Sequence, residues 1–142
     1  MGFKSFAYGH SYTGNALGCA AALASLEIFR TERTIDALPP KIETLRSGLE
    51  AILQVNGVTE ARSCGMIGAI DFADDSGYAA QVCQVARGRG LLTRHIRDTV
   101  TLMPPLIVSI SELQRALEIL NEAVQIVVNR TKQPSGIVGV TA

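Results

Sequence analysis

Between Ala16 and Phe29 the chain reads ALGCAAALASLEIF, with an apolar or small residue at almost every position until Glu27. A helix that is apolar nearly all round has to be covered on most of its faces, so this segment constrains the fold more than any other. Its alanines allow neighbouring backbones to come close, and Asn15 is suited to accept the first unsatisfied helical N–H groups. We read residues 16–30 as a helix that is buried on most faces and needs company from outside its own segment. The preceding MGFKSFAYGHSYTGN carries glycines, aromatics and hydroxyls without a period of 2 or 3.6, and reads as a shaped loop.

Downstream the pattern becomes amphipathic. Ile42, Leu45, Leu49 and Ile52 share one face of a helix over 41–55, and Asn56 and Gly57 end it. VTEARSC and MIGAIDF then alternate with a period of two about Gly65, which predicts a hairpin or meander closed by Ser76 and Gly77. Ala79, Val82, Val85 and Ala86 return to helical spacing over 78–88, with Gly88 and Gly90 as the stop. LLTRHI and TVTLM read as two short strands joined by a turn at Arg97 and Asp98, and Pro104 and Pro105 end the pairing because proline cannot donate to a ladder. Ser109 and Glu112 stand at capping-box spacing before a final helix through Leu113, Leu117, Leu120, Val124 and Val127. Residues from Thr131 onward have no period. The order predicts an α/β (α+β) two-layer domain in which helices cover one face of a small, largely antiparallel sheet.

The chain has 142 residues, 47% of them hydrophobic and 18% charged, which suits one globular domain. Thirteen Lys and Arg balance thirteen Asp and Glu, so nothing advertises a nucleic-acid or membrane partner. Cys19, Cys64 and Cys83 are widely spaced and form no metal-ligand pattern. They read as buried apolar residues of a reducing compartment. The two histidines do not suggest a metal site either. No run of 18 apolar residues and no leader pattern is present, so a soluble cytoplasmic protein is expected. Asp71, Asp74 and Asp75 flank the hairpin exit and read as solvated turn residues.

Physically, GHSYTGN offers hydroxyls and glycine-exposed N–H groups just before a helix N-terminus. That arrangement serves either as an anion cradle or as ordinary capping and turn chemistry. The longer run YGHSYTGNALGCAAALASLEIF resembles a segment of the class III pyridoxal-phosphate-dependent aminotransferases. The resemblance continues in order through ARSCGMIGAIDF and ARGRGLLTRHIRDTVTLMPPLIVSISEL, covering about residues 3–128.

The resemblance implies the C-terminal small domain of a fold-type I pyridoxal-phosphate transferase. Its organisation would be a cofactor-phosphate and interface loop over 1–15, an interdomain helix and linker over 16–40, a small α/β domain over 41–130 and a tail over 131–142. It implies pyridoxal 5'-phosphate as cofactor, a keto acid and an amino donor as substrates, and a homodimer. Ser11, with Gly9 and His10, would reach the cofactor phosphate of the partner subunit. Arg94 would grip the substrate carboxylate through a bidentate fork, and Gly9 would also bind substrate. Turn stabilisation by Ser11 and a plain surface position for Arg94 remain open, although an arginine within LLTRHI is costly to bury unpaired and so favours an anion partner.

Family members are longer, and their Schiff-base lysine precedes the matched region. The lysines of this chain are Lys4, Lys41 and Lys132, and none has the apolar setting that would activate an amine. No catalytic residue is therefore assigned, and the chain by itself is expected to be an inactive fragment. Relatives carry Pro and Gly where this chain has His95 and Arg97, and Pro where it has Ala16. Another class III enzyme acting on an omega-amino acid or a diamine, or a non-catalytic association module, are the competing readings.

Overall fold

The computed structural model describes Gly9, residues 11–73 and residues 75–131. The chain divides into two compact units, Met1–Asp36 and Ala37–Ala142. In the first, α1 spans Ala16–Thr31, and the Asn15 side chain accepts from the Gly18 N–H at 2.8 Å. The predicted helix and cap are therefore present, but the expected burial is not. No residue of α1 is buried, and Leu17, Leu23 and Leu26 are 82%, 68% and 66% exposed. The physical reason is that this unit has no second helix or strand among its described residues for α1 to lie against.

The second unit contains the hydrophobic core. Its elements are α2 (Leu38–Leu53), β1 (Val58–Cys64), β2 (Ile67–Phe72), α3 (Tyr78–Gly88), β3 (Arg94–Ile96), β4 (Thr99–Leu102) and α4 (Ile110–Thr131). α2 begins three residues before the predicted start, because Pro39 and Pro40 fall in the first turn, where a missing N–H costs nothing. It ends at Leu53, and Gly57 makes the following turn at φ +95°. α3 closes with a Schellman pattern: the Leu91 N–H donates to Ala86 O and the Gly90 N–H to Arg87 O, with Gly90 at φ +91°. Because the Leu91 N–H is used there, β3 is shorter than LLTRHI suggests. The capping box is formed as predicted, with Ser109 N donating to Glu112 Oε2 at 2.8 Å and Glu112 N donating to Ser109 Oγ at 3.2 Å.

The sheet is antiparallel throughout, in the order β1-β2-β4-β3. Register assigns its two faces. Ile70, Phe72, Val100 and Leu102 are buried toward the helices. The alternate residues Ala69, Asp71, Thr99 and Thr101 lie on the opposite, uncovered face, together with Arg62 of β1 and Arg94 and Ile96 of β3. α2 packs against β1 and β2, α3 against β2, β3 and β4, and α4 lies against α2 and α3. The predicted α/β arrangement with helices on one sheet face is the one observed.

Two glycines set the closeness of this packing. A Cβ on Gly68 would lie 2.6 Å from Leu49 Cδ1, and one on Gly48 would lie 2.5 Å from Leu117 Cδ1. α2 is thus pressed against the sheet on one side and α4 on the other. The cysteine reading needs correction: Cys83 is buried, but Cys19 on α1 and Cys64 at the end of β1 are exposed, because neither faces the core.

Both hairpins use two-residue connections whose first residue has positive φ, namely Gly65 at +56° and Arg97 at +53°. Glycine adopts this conformation without strain and arginine does not. Gly68→Val is expected to lower stability by about 1–3 kcal/mol through overpacking against Leu49. Arg97→Gly should raise it by about 0.5–1 kcal/mol. Urea unfolding of the chain measures both, and equal midpoints for the three proteins would contradict this account of the packing and the turn.

Candidate functional site

In the first unit, residues 11–14 form an exposed turn that delivers the chain to α1, with Gly14 at φ +74°. The Asn15 N–H donates to Tyr12 O, and the Asn15 side chain occupies the Gly18 N–H. Ala16 and Leu17 thus present first-turn N–H groups that have no intrahelical acceptor. Tyr12, Thr13, Gly14, Asn15, Gly18, Cys19 and Ala22 line an open depression here. Ser11 and Gly9 are exposed, while His10 lies outside the described residues. A hydroxyl beside a helix N-terminus suits an anion with several acceptor oxygens, as a phosphate has. These residues therefore fit the phosphate end of pyridoxal phosphate.

Nothing described fits the role of a Schiff-base lysine. The Lys41 amine donates to Leu106 O at 2.8 Å, and Lys4 and Lys132 lie outside the described residues.

In the second unit, the uncovered sheet face carries two polar groupings. Arg62 of β1 pairs with Asp71 of β2, and Thr99 of β4 donates to Asp71 Oδ1 at 2.5 Å. Asp71 is therefore a cross-strand acceptor and not the solvated turn residue that the sequence suggested. Asp75 is exposed in the turn at φ +57°, and Asp74 lies outside the described residues. Burial pushes the Asp71 carboxyl up, but the Arg62 and Thr99 hydrogen bonds and the Arg62 charge together outweigh it and hold the group below its ordinary value.

The second grouping centres on Arg94. It sits opposite Thr101 on the edge strand β3, and the row across the sheet runs Arg62, Ala69, Thr101, Arg94. Thr101 Oγ1 donates to Arg94 O at 3.3 Å, and Thr93 Oγ1 donates to Thr101 O, which fixes the strand backbone beneath the guanidinium. Arg94 is exposed, so the burial cost that the sequence raised does not arise. Its guanidinium has no ion-pair partner among the described residues, whereas Arg62 has two. Arg94 shares a depression of about 380 Å³ with Arg87, Leu92, Thr93, Thr101 and Met103. His95 Nδ1 lies 3.2 Å from Arg97 O, and both residues are exposed in the hairpin.

Ser11 belongs to the first unit and Arg94 to the second. Sequence reasoning singled out Arg94 but missed the threonines that steady it. Counting back from the two-residue turn at Arg97 and Asp98 would have found Thr101 opposite Arg94.

Residues 2–124 match the family described as aminotransferase class-III, and the chain belongs to it. Members of this family are pyridoxal-phosphate-dependent transferases. One relative, from Geobacter sulfurreducens, is named adenosylmethionine-8-amino-7-oxononanoate aminotransferase. It is 33% identical over 134 residues, which cover 87% of this chain and 30% of that protein. An ornithine aminotransferase from Emericella nidulans is 34% identical over 121 residues, covering 82% of this chain and 26% of that protein. The crystal structure of adenosylmethionine-8-amino-7-oxononanoate aminotransferase from Methanocaldococcus jannaschii superposes with a TM-score of 0.78 at 31% identity, covering 86% of this chain and 30% of that one. The chain thus spans about 30% of the length of the curated relative from Geobacter. Among the described residues no helix is long and apolar enough to cross a membrane.

The Asp71 geometry predicts a pH effect. A carboxyl that titrates lower in the folded chain than in the unfolded one contributes its full stabilisation above the unfolded value near 3.9, and loses it as pH falls through the folded value. Urea midpoints of the wild-type chain should therefore hold above about pH 5 and drop progressively below it, through and beneath the unfolded value near 3.9, and Asp71→Asn should flatten that drop while lowering the midpoint at neutral pH. An unchanged acid limb in the variant would show that Asp71 does not carry it.

Proposed function

We propose that this chain is the C-terminal part of a pyridoxal-phosphate aminotransferase that transfers an amino group from S-adenosylmethionine to 8-amino-7-oxononanoate in biotin biosynthesis. It would act in the cytoplasm as a homodimer. The observation that carries the reading is Arg94, a guanidinium without an ion-pair partner among the described residues, on the sheet face opposite the helices and beside the apolar side chains of Leu92 and Met103. A keto acid that ends an aliphatic chain in a carboxylate matches that combination of charge and apolar wall. The names of the relatives from Geobacter and Methanocaldococcus support the same substrate.

In this reading Arg94 binds and orients the carboxylate, and Thr93 and Thr101 hold the strand that presents it. Ser11 and the N–H groups at the start of α1 hold the phosphate of pyridoxal phosphate, with His10 and Gly9 shaping the loop. When bound, that cofactor supplies the electron sink for the transfer. In this reading the proton-moving lysine comes from outside this chain, since in the family it precedes the matched region, and Lys41 is committed to Leu106 O at a helix start. By itself the 142-residue chain should therefore be inactive.

A second reading, a class III enzyme acting on ornithine or another omega-amino compound, is favoured by the similarity to the Emericella protein. The replacements at His95 and Arg97 bear on it, because they alter the hairpin that carries Arg94.

The test uses a longer polypeptide that adds the missing lysine region. Amino transfer from S-adenosylmethionine to 8-amino-7-oxononanoate should exceed transfer from ornithine. Arg94→Gln should raise KM for the keto acid about tenfold or more while sparing the donor half-reaction, and Ser11→Ala should weaken pyridoxal phosphate binding. Faster transfer from ornithine would replace the first reading with the second, and lysine-bound cofactor absorbance in the 142-residue chain would refute its assignment as the inactive part.

A further inference from the structure

The depression around Arg94 contains a second arginine that the carboxylate reading does not use. Arg87 stands in the last turn of α3, and Arg94 lies seven residues on, beyond the Schellman turn that reverses the chain. That turn brings both onto the wall of one depression, completed by Leu92, Thr93, Thr101 and Met103. Neither guanidinium has an ion-pair partner among the described residues, although the neighbouring Arg89 pairs with Glu122 at 3.4 Å. A cation in the last turn of a helix suits the helix dipole, which explains a charge at position 87. It does not explain why two cationic side chains line one hollow to which no described Asp or Glu contributes. An anion bound there would give both guanidiniums an acceptor.

The walls narrow the class of anion. Leu92 is 78% exposed and Met103 57% exposed, so the hollow offers uncovered apolar surface beside its two cations. A carboxylate has two oxygens and about four acceptor positions, enough for two guanidiniums. An aliphatic chain attached to it would cover Leu92 and Met103.

We propose that Arg87 is a second carboxylate-binding residue, which shares the acid terminus of an aliphatic keto acid with Arg94 and so sets the preference of this site for acids with an apolar chain. This rests on the reading of Arg94 given above and extends it to a residue that reaches the site from a helix. With His95 and Arg97 altering the hairpin, a grip anchored on α3 keeps the carboxylate in place independently of that turn.

The experiment titrates the 142-residue chain with sodium octanoate at constant ionic strength, following the arginine Nε–H signals by NMR, with sodium chloride as the control salt. Signals of both Arg87 and Arg94 should move and saturate together with octanoate. Acetate should bind more weakly because it leaves Leu92 and Met103 uncovered. Arg87→Gln should weaken octanoate binding about three- to tenfold, and Arg89→Gln, which removes a charge nearby but outside the hollow, should leave it unchanged. Movement of Arg94 without Arg87, or undiminished binding by Arg87→Gln, overturns the role of Arg87 and leaves that of Arg94 intact. No movement of either overturns both.

Discussion

The second unit depends on how closely α2 is held. Gly68 lets Leu49 and Leu45 come down onto β2, and Gly48 lets Leu117 of α4 come down onto α2. Neither position could carry even a methyl group without displacing a leucine. Leu45, Leu49 and Ile52 are fully buried as a result, and the contacts of α2 run from β1 and β2 on one side to α4 on the other. The energetic weight of this arrangement lies in excluded water and dispersion contacts that a gap of a fraction of an ångström would forfeit.

Within the second unit α2, α3 and α4 lie on one face of the sheet and leave the other free of helices from that unit. Here that face is neither plainly polar nor plainly apolar. Arg62, Asp71 and Thr99 form a self-satisfied polar cluster near β1 and β2, while Arg94, Ile67, Ile96 and Met103 are exposed. The contrast between Arg62, which is neutralised by its neighbours, and Arg94, which is not, separates a residue that holds the sheet together from one available to a ligand.

Much of this was legible in the sequence because it is local. The capping box of Ser109 and Glu112, the Asn15 cap and the stop of α3 at Gly90 are signals whose partners lie within a few residues, and all three formed, although Gly88 belongs to the helix itself. The start of α2 is less legible: the apolar spacing begins at Ile42, whereas the helix begins at Leu38 because its first turn accommodates Pro39 and Pro40. Asp71 was misread because its partners Arg62 and Thr99 are 9 and 28 residues away, brought near only by strand pairing. The exposure of Cys64 has the same origin, since period-two alternation does not say which face the helices will choose. Arg94 was singled out through resemblance, but the hollow it shares with Arg87 was not legible in the sequence, because that juxtaposition depends on the geometry of a helix stop. Ser11 lies where the sequence placed it, in a turn before α1, and His10 falls outside the described residues.

The edge position of β3 gives Arg94 a second consequence. An outer strand with open hydrogen-bonding groups invites pairing with other chains, and natural sheets discourage it with short edges and charge. β3 has three residues, and Arg94 and His95 interrupt what would otherwise be a hydrophobic ribbon running through Leu91, Leu92 and Ile96. Replacing Arg94 with an aliphatic residue would therefore expose an adhesive margin, so the carboxylate grip proposed for Arg94 and the strand's resistance to aggregation would be lost together.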